Sequence, residues 1–322
     1  MAVAADSNPA LLSEDLSLNV PSANRTLRGE VADRAADLDV RLGAYPFWRP
    51  AGRSSQLGVT FEGSQSLYHQ LKFLNLSDLR AVVHLAWGRT PLGYLSGPLG
   101  WTRVPNGTSS VAFLMQGGYT AHLLDGKSYL QVLTGSGAVR WRETRSMATQ
   151  VDLEVRDLHF AEEPAAGRRS GQEARLGASQ YLYLGREDRY LRVEALAGDR
   201  RAGRPFTGSL WRGGAELALP LTERWSLYLA GTRQKEDFNY PESDLFAHFS
   251  PFDPEFQPGV RGTPRRDTVT RAAAALSWSW EPVQVTARFT YISRDSSLGS
   301  TEAPNAFDYN RTITSLGLTW SF

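Results

Sequence analysis

The chain of 322 residues has no cysteine, which excludes a disulfide scaffold and a thiolate-ligated zinc site. It has almost no net charge, with 35 Lys and Arg against 34 Asp and Glu. Nucleic-acid-binding domains usually carry a basic excess, so no nucleic-acid partner is expected. It lacks any apolar run near the ~18 residues of a membrane-spanning helix, and its mean hydropathy is −0.35. Helical periodicity is scarce. The best stretch, Glu30 to Arg41, gives way to alternating Leu38, Val40, Leu42 and Ala44. Motifs of chemistry are missing too. No G-x-x-x-x-G-K-[ST] occurs, and Leu124-Asp-Gly-Lys-Ser128 echoes only its end. Thr134-Gly-Ser-Gly137 opens no helix, and there is no G-x-S-x-G elbow. The five histidines, His69, His84, His122, His159 and His248, show no metal-ligand spacing. No cofactor, metal or catalytic residue is therefore expected.

What is present is alternation. Val283, Val285, Ala287, Phe289 and Tyr291 share one parity, and Gln284, Thr286, Arg288 and Thr290 the other. Leu79, Ala81, Val83, Leu85 and Trp87 alternate with Arg80, His84 and Gly88. Val111, Phe113, Met115, Gly117 and Tyr119 alternate with Gln116, Gly118 and Thr120. Successive side chains of a strand point to opposite faces, so each such segment reads as a two-faced strand. Strands are expected at 2–8, 35–47, 55–66, 77–88, 110–123, 128–142, 148–160, 173–184, 188–199, 206–220, 224–236, 267–281, 283–294 and 309–322. Long connections (9–34, 67–76, 161–172, 200–205, 237–266, 295–308) alternate with short ones (143–147, 185–187, 221–223, Pro282). That sorting is the signature of a membrane β-barrel with short periplasmic turns and long external loops. A sandwich or propeller would alternate along its strands but would not sort its turns. The expected fold is thus all-β, one antiparallel transmembrane barrel over 1–322, with fourteen strands, or twelve or sixteen. Two places break the pattern: residues 89–109 make an overlong turn that could hide part of a strand, and the Asp125-Gly126 hairpin is short on the long-loop side.

The chain ends Leu316-Gly-Leu318-Thr-Trp320-Ser-Phe322. Leu316, Leu318, Trp320 and Phe322 share a face. An aromatic end to an alternating last strand resembles the sorting signal read by the barrel assembly machinery of bacterial outer membranes. The alternative is an ordinary edge strand. A lipid-facing Arg near the midplane costs about 2–4 kcal/mol, so the charged face must be inward. Parity puts Arg175, Arg192, Arg212, Arg271, Arg288 and Arg311 there, with Glu194 and Glu216 among them. Asp37, Asp39, Glu62, Asp152 and Glu154 come from earlier strands, with Arg41, Arg80 and Arg156. A basic wall facing a mixed or acidic one would favour anionic or zwitterionic solutes. A closed lumen, in which these charges pair and brace the wall, stays open as the alternative. Loop 237–266 combines Asp237 and four more carboxylates with Phe246, Phe249, Phe252 and Phe256. So many aromatics suit a plug, gate or partner-binding cap better than a solvated loop.

Three motifs resemble the barrel domain that follows periplasmic tetratricopeptide repeats in outer-membrane export proteins, the surface lipoprotein assembly modifiers being one group. They are Asp6-Ser-Asn-Pro9, Leu124-Asp-Gly-Lys-Ser-Tyr-Leu130 and Asp308-Tyr-Asn-Arg311. Ala5 stands where that family usually has an aromatic, and no 34-residue repeat is present. The resemblance implies an export channel in the bacterial outer membrane, with lipid, a periplasmic repeat domain and exported cargo as partners, and no catalytic residues. Met1–Asp6 is too short and lacks the basic start of a signal peptide, so the chain is either cytosolic or, as a strand beginning at Ala2 favours, a mature or truncated one with an added Met. Two other functions remain open: a non-conducting barrel presenting its loops to a partner, and an outer-membrane hydrolase using His84 or His122.

Overall fold

The computed structural model describes residues 2–6, 36–37, 42–44, 47–48, 55–66, 76–89, 94–103, 110–124, 126–161, 170–203, 206–241, 264–281, 283–297 and 309–320. The strands are β1 (Ala2–Asp6), β2 (Ala36–Asp37), β3 (Leu42–Ala44), β4 (Phe47–Trp48), β5 (Ser55–Ser66), β6 (Leu76–Gly88), β7 (Tyr94–Gly97), β8 (Gly100–Arg103), β9 (Val111–Leu124), β10 (Lys127–Thr144), β11 (Met147–Phe160), β12 (Gly171–Leu184), β13 (Arg186–Arg201), β14 (Gly208–Pro220), β15 (Trp225–Pro241), β16 (Pro264–Trp280), β17 (Val283–Ser296) and β18 (Tyr309–Trp320).

The alternating segments pair antiparallel with their sequence neighbours from β9 through β18, and β6 pairs with both β5 and β9. The first and last strands then meet, Ala2 opposite Gly317 and Asp6 opposite Ile313. At the two ends of the sheet order stand β2, against β1, and β3, against β5. Both belong to the stretch 36–48, with β4 also on β5. One stretch of chain therefore serves both margins, and the sheet closes into a barrel. Sixteen strands make this sheet, three of them short pieces within 36–48, where a single strand is expected.

The two faces are inverted relative to a soluble protein. Outside, Phe61, Val83, Phe113, Met115, Leu133, Leu153, Val155, Leu176, Val193, Leu229, Leu276 and Leu316 are exposed. Inside, Gln56, His84, Gln116, Arg140, Gln150, Glu154, Glu173, Gln234, Asp267 and Arg294 are buried. Only lipid rewards that inversion, and a closed ladder leaves no backbone group for lipid to strand. Trp87, Trp225 and Trp280 lie near the short-turn end of this exterior and Trp211 towards the other, as aromatic girdles do. Beyond Trp211 the exterior becomes polar and charged: Arg233 and Lys235 follow Leu229 on β15, and Asp157 follows Val155 on β11.

The connections sort as expected. Residues 145–146, 185, 221–224 and 281–282 join strands at one end; 67–75, 161–170, 202–207, 242–263 and 297–308 join them at the other. Gly185 turns the chain with φ +79° in the single-residue link between β12 and β13, a conformation that glycine adopts without strain. Two boundaries differ from expectation. β15 and β16 run on until Asp237 pairs with Arg266 and Pro241 with Pro264, so the loop expected at 237–266 is 242–263. Polar side chains such as Asp237 and Asn239 read as loop, but strands outlast the bilayer and carry polar residues past it. The overlong turn at 89–109 contains β7 and β8, a separate hairpin and not a wall strand.

The depth dependence of lipid-face charges gives a direct test. Leu153→Arg is expected to lower the unfolding free energy in lipid vesicles by about 2–4 kcal/mol, and Asp157→Arg, on the same face in the charged collar, by under about 1 kcal/mol. Urea titrations of both variants read the difference.

Candidate functional site

The β7–β8 hairpin lies inside the barrel. Leu95 is 1% exposed and packs against Ala86, Ala112, Leu114 and Ala138, all on the inner face of β6, β9 and β10. The hairpin leaves the wall at the short-turn end, after Gly88, and its tip, Gly97-Pro98-Leu99-Gly100, reaches mid-barrel. Three features admit it. The wall residues below Leu95 are mostly alanine. A Cβ on Gly118 would lie 2.8 Å from Leu99 Cδ1, and one on Gly97 would lie 2.3 Å from Gln116 Oε1. The tip is also hydrogen-bonded to the wall. Leu99 N–H donates to Gln116 Oε1 (3.2 Å), and the Arg80 guanidinium donates to the Leu99 carbonyl.

Above the tip is a cavity of about 640 Å³, bordered by Gly97, Pro98 and Leu99. Its other walls are charged. Across β11 and β12, Arg175 lies by Glu173 and 3.7 Å from Glu154, and Arg156 lies 3.9 Å from Glu173. Across β13 and β14, Arg192 bonds Glu194 (2.6 Å) and Glu216 (3.2 Å), and Arg212 reaches Glu194 (3.2 Å). Arg294 bonds Asp267 between β16 and β17, and His122 Nδ1 lies 2.6 Å from Asp78 between β9 and β6. Charges removed from water are tolerable when each has an opposite partner and further hydrogen bonds, and direct cross-strand pairing provides that partner.

Towards the short-turn end the interior fills. Arg140 donates to Gln150 Oε1 (2.7 and 2.9 Å) and to Tyr181 Oη (2.8 Å), with its guanidinium carbon 4.2 Å from the Tyr181 ring centre. Tyr181, Tyr183 and Tyr190 pack together over Ala148. Gln150 also donates to Asp152. This core is polar at many of its atoms yet buried, and it lies beside the hairpin's level of the barrel.

The expected site residues fall as follows. Arg175, Arg192, Arg212 and Arg271 border the cavity with Glu194. Glu216 meets Arg192 from the inner face of β14. Arg288 is on the inward parity of β17, opposite Ala275 and Ser315. Arg311 pairs in the ladder with Ile292. Among the described residues, the expected basic wall facing a mixed or acidic one is not separate from its carboxylates. Arginines and carboxylates interleave on the same ladders, because opposite charges on facing strands settle side by side. Asp237 is in β15, not a loop; Lys235 Nζ lies 3.6 Å and Arg266 Nε 3.4 Å from its carboxylate. Phe246, Phe249, Phe252 and Phe256 fall outside the described residues, as does Phe322. Leu316 is exposed on the outer face, and Leu318 and Trp320 pair with Val285 and Val283. His84 holds Thr60 and Gln116, and Asp78 is the carboxylate beside His122. The element not foreseen is the inserted hairpin.

No family model matches the chain, and no curated protein does. Solved structures of similar fold include the anion-selective porin from Comamonas acidovorans (10% identity, TM-score 0.44, 100% of this chain and 96% of that one). Another is a loop-deletion form of OmpT, an outer membrane protein of Vibrio cholerae (8%, TM-score 0.45, 99% and 96%). A third is the Pseudomonas putida toluene transporter TodX (6%, TM-score 0.43, 100% and 87%). The chain itself is an antiparallel β-sheet closed on its own first strand, apolar outside and polar inside.

The buried Arg140 cluster makes a stability test. Gln150→Leu removes the acceptor of two of the Arg140 hydrogen bonds inside the barrel, an expected loss of about 1–3 kcal/mol. Replacing the exposed Lys127 by Gln should change stability by no more than about 0.5 kcal/mol. Denaturant midpoints compare the two.

Proposed function

We propose that this chain is an outer-membrane channel of the translocation or export type, with the barrel interior as its conduit and the 94–103 hairpin as its plug. The observation that carries this reading is the interior itself: a cavity of about 640 Å³ within a lipid-facing wall, bordered by charged side chains on most sides. A barrel that served only as an anchor could fill its core with apolar groups at less cost in desolvation.

The arginines Arg175, Arg192, Arg212, Arg271, Arg288 and Arg311 line the route together with Glu194 and Glu216. Because the charges are interleaved, the route suits zwitterionic or polar solutes that can exchange hydrogen bonds with an alternating wall. The loop 242–263, with Phe246, Phe249, Phe252 and Phe256, is the second control point, at the opposite end from the hairpin. The resemblance to the assembly-modifier barrels fits a route for exported cargo received from a periplasmic repeat domain. The pairing of the arginines favours a second reading, a closed barrel whose ion pairs only brace the wall.

Conductance separates the two. Reconstituted in planar bilayers, the protein is expected to conduct weakly, and the form with residues 94–103 replaced by a short Gly-Ser turn to conduct in larger steps. Absence of current from both forms, each shown folded by heat-modifiable migration, would leave the bracing reading. Glu194→Gln releases Arg192 and Arg212 from a shared carboxylate, and its reversal potential in a salt gradient should move towards anion preference.

A further inference from the structure

The contact that holds the hairpin tip contains a titratable group. Gln116 is buried on the inner face of β9, and its side-chain oxygen accepts the Leu99 N–H. A backbone N–H can only donate, so this contact fixes which end of the amide faces the hairpin. The amide nitrogen then faces His84 Nδ1 at 2.9 Å. That nitrogen must accept, so His84 is neutral and carries its proton on Nε2, which donates to Thr60 Oγ1 at 2.9 Å. The chain Thr60–His84–Gln116–Leu99 thus has one direction, and only the neutral imidazole is compatible with it.

We propose that this relay is a proton-sensitive latch on the plug: protonation of His84 releases the hairpin from the barrel interior. It rests on the channel reading for its purpose, though not for its mechanism. A proton on Nδ1 turns that nitrogen into a donor facing a donor. Gln116 must rotate its amide to offer oxygen to the imidazolium, and its NH2 group then faces the Leu99 N–H. The tip loses a hydrogen bond and gains a repulsive contact at a partly buried site, where an unmatched polar group is costly.

Among the described side chains, few charged groups lie around the relay. On β6, Arg80 lies on the same face as His84 and donates to the Leu99 carbonyl, adding positive charge near the imidazole. Glu62 of β5 stands opposite Arg80 in the ladder. Asp78 and His122 form a second titratable pair nearer the long-loop end. From β5, β9 and β10 the closer inward neighbours are neutral: Gln56, Thr60, Gln116, Thr120, Thr134 and Ser136. Acid therefore acts on the latch through His84, with His122 as the other histidine that must be controlled.

The absence of native cysteine makes the test direct. Ala138 lies under Leu95 in the hairpin-covered wall, so Ala138→Cys reports uncovering with little change in volume. Its rate of labelling by a water-soluble thiol reagent is divided by that of Leu221→Cys, in the exposed 221–224 turn, at each pH. The ratio is expected to rise about tenfold or more between about pH 7.5 and about pH 5, where imidazole changes charge. With His84→Gln added, which retains an amide acceptor, the ratio should stay low throughout. With Gln116→Leu added, it should be high already at neutral pH. A flat ratio with His84 intact overturns the proposal. So does a rise that survives His84→Gln, which would assign the response to the Asp78–His122 pair. Leu95→Cys gives a second reporter should the first variant fold poorly. Current recorded from the same preparations keeps the two readings apart: labelling that responds without current sinks the channel and leaves the latch, and current without a labelling response does the reverse.

Discussion

Every backbone N–H and C=O that crosses lipid must find its partner within the protein. An unpaired group there costs several kcal/mol, as a rough figure. In this chain that requirement is met by a ladder that returns to its beginning, with β1 against β18 and the stretch 36–48 between β1 and β5. The other features follow from the closed ladder. Period 2 becomes an inside and an outside, and the outside must be apolar over the width of the bilayer. The polar half of each strand has nowhere to go except inward.

That confinement explains the interior. Many charged side chains on a concave wall cannot all be solvated by the water a narrow lumen holds, so they pair across neighbouring strands. Arg192 between Glu194 and Glu216, and Arg175 between Glu154 and Glu173, are products of this crowding. The wall opposite, on β6, β9 and β10, is different. It is built from Ala86, Ala112, Gly118 and Ala138, small enough for a second layer of backbone to lie against it. The hairpin fills that space and ties its last backbone groups to Gln116 and Arg80. A charged, partly open half and a filled, packed half thus share one barrel.

How much of this could be read from the sequence follows from what each feature depends on. Strand positions and the inward parity of Arg175, Arg192, Arg212 and Arg271 depend on alternation alone, which is local and visible. The extension of β15 to Pro241 is not visible in the sequence, because Asp237 and Asn239 are as polar as a loop once the strand leaves the lipid. The ion pairs depend on register between strands, and parity does not contain register. It took Arg192 opposite Glu216, and Glu194 within reach of Arg212, to show that basic and acidic walls do not exist separately. The inserted hairpin left a signal that alternation does not score. Gly97-Pro98-Leu99-Gly100 is a turn in the middle of an overlong connection, and small residues occupy the inward positions of the facing strands. A patch of alanine and glycine on a lumen face that otherwise carries larger polar side chains asks for something to cover it.

The central claim is that the two parities of each strand face lipid and a polar, largely occluded interior. Spin labels placed one at a time along β11, from residue 149 to 156, measure it through collisions with oxygen, which concentrates in lipid, and with a water-soluble nickel chelate. Oxygen collisions should peak at 151, 153 and 155 and fall at 150, 152, 154 and 156, with no nickel maximum at the odd positions. Oxygen collisions without that alternation, or nickel collisions that peak at 151, 153 and 155, would contradict it.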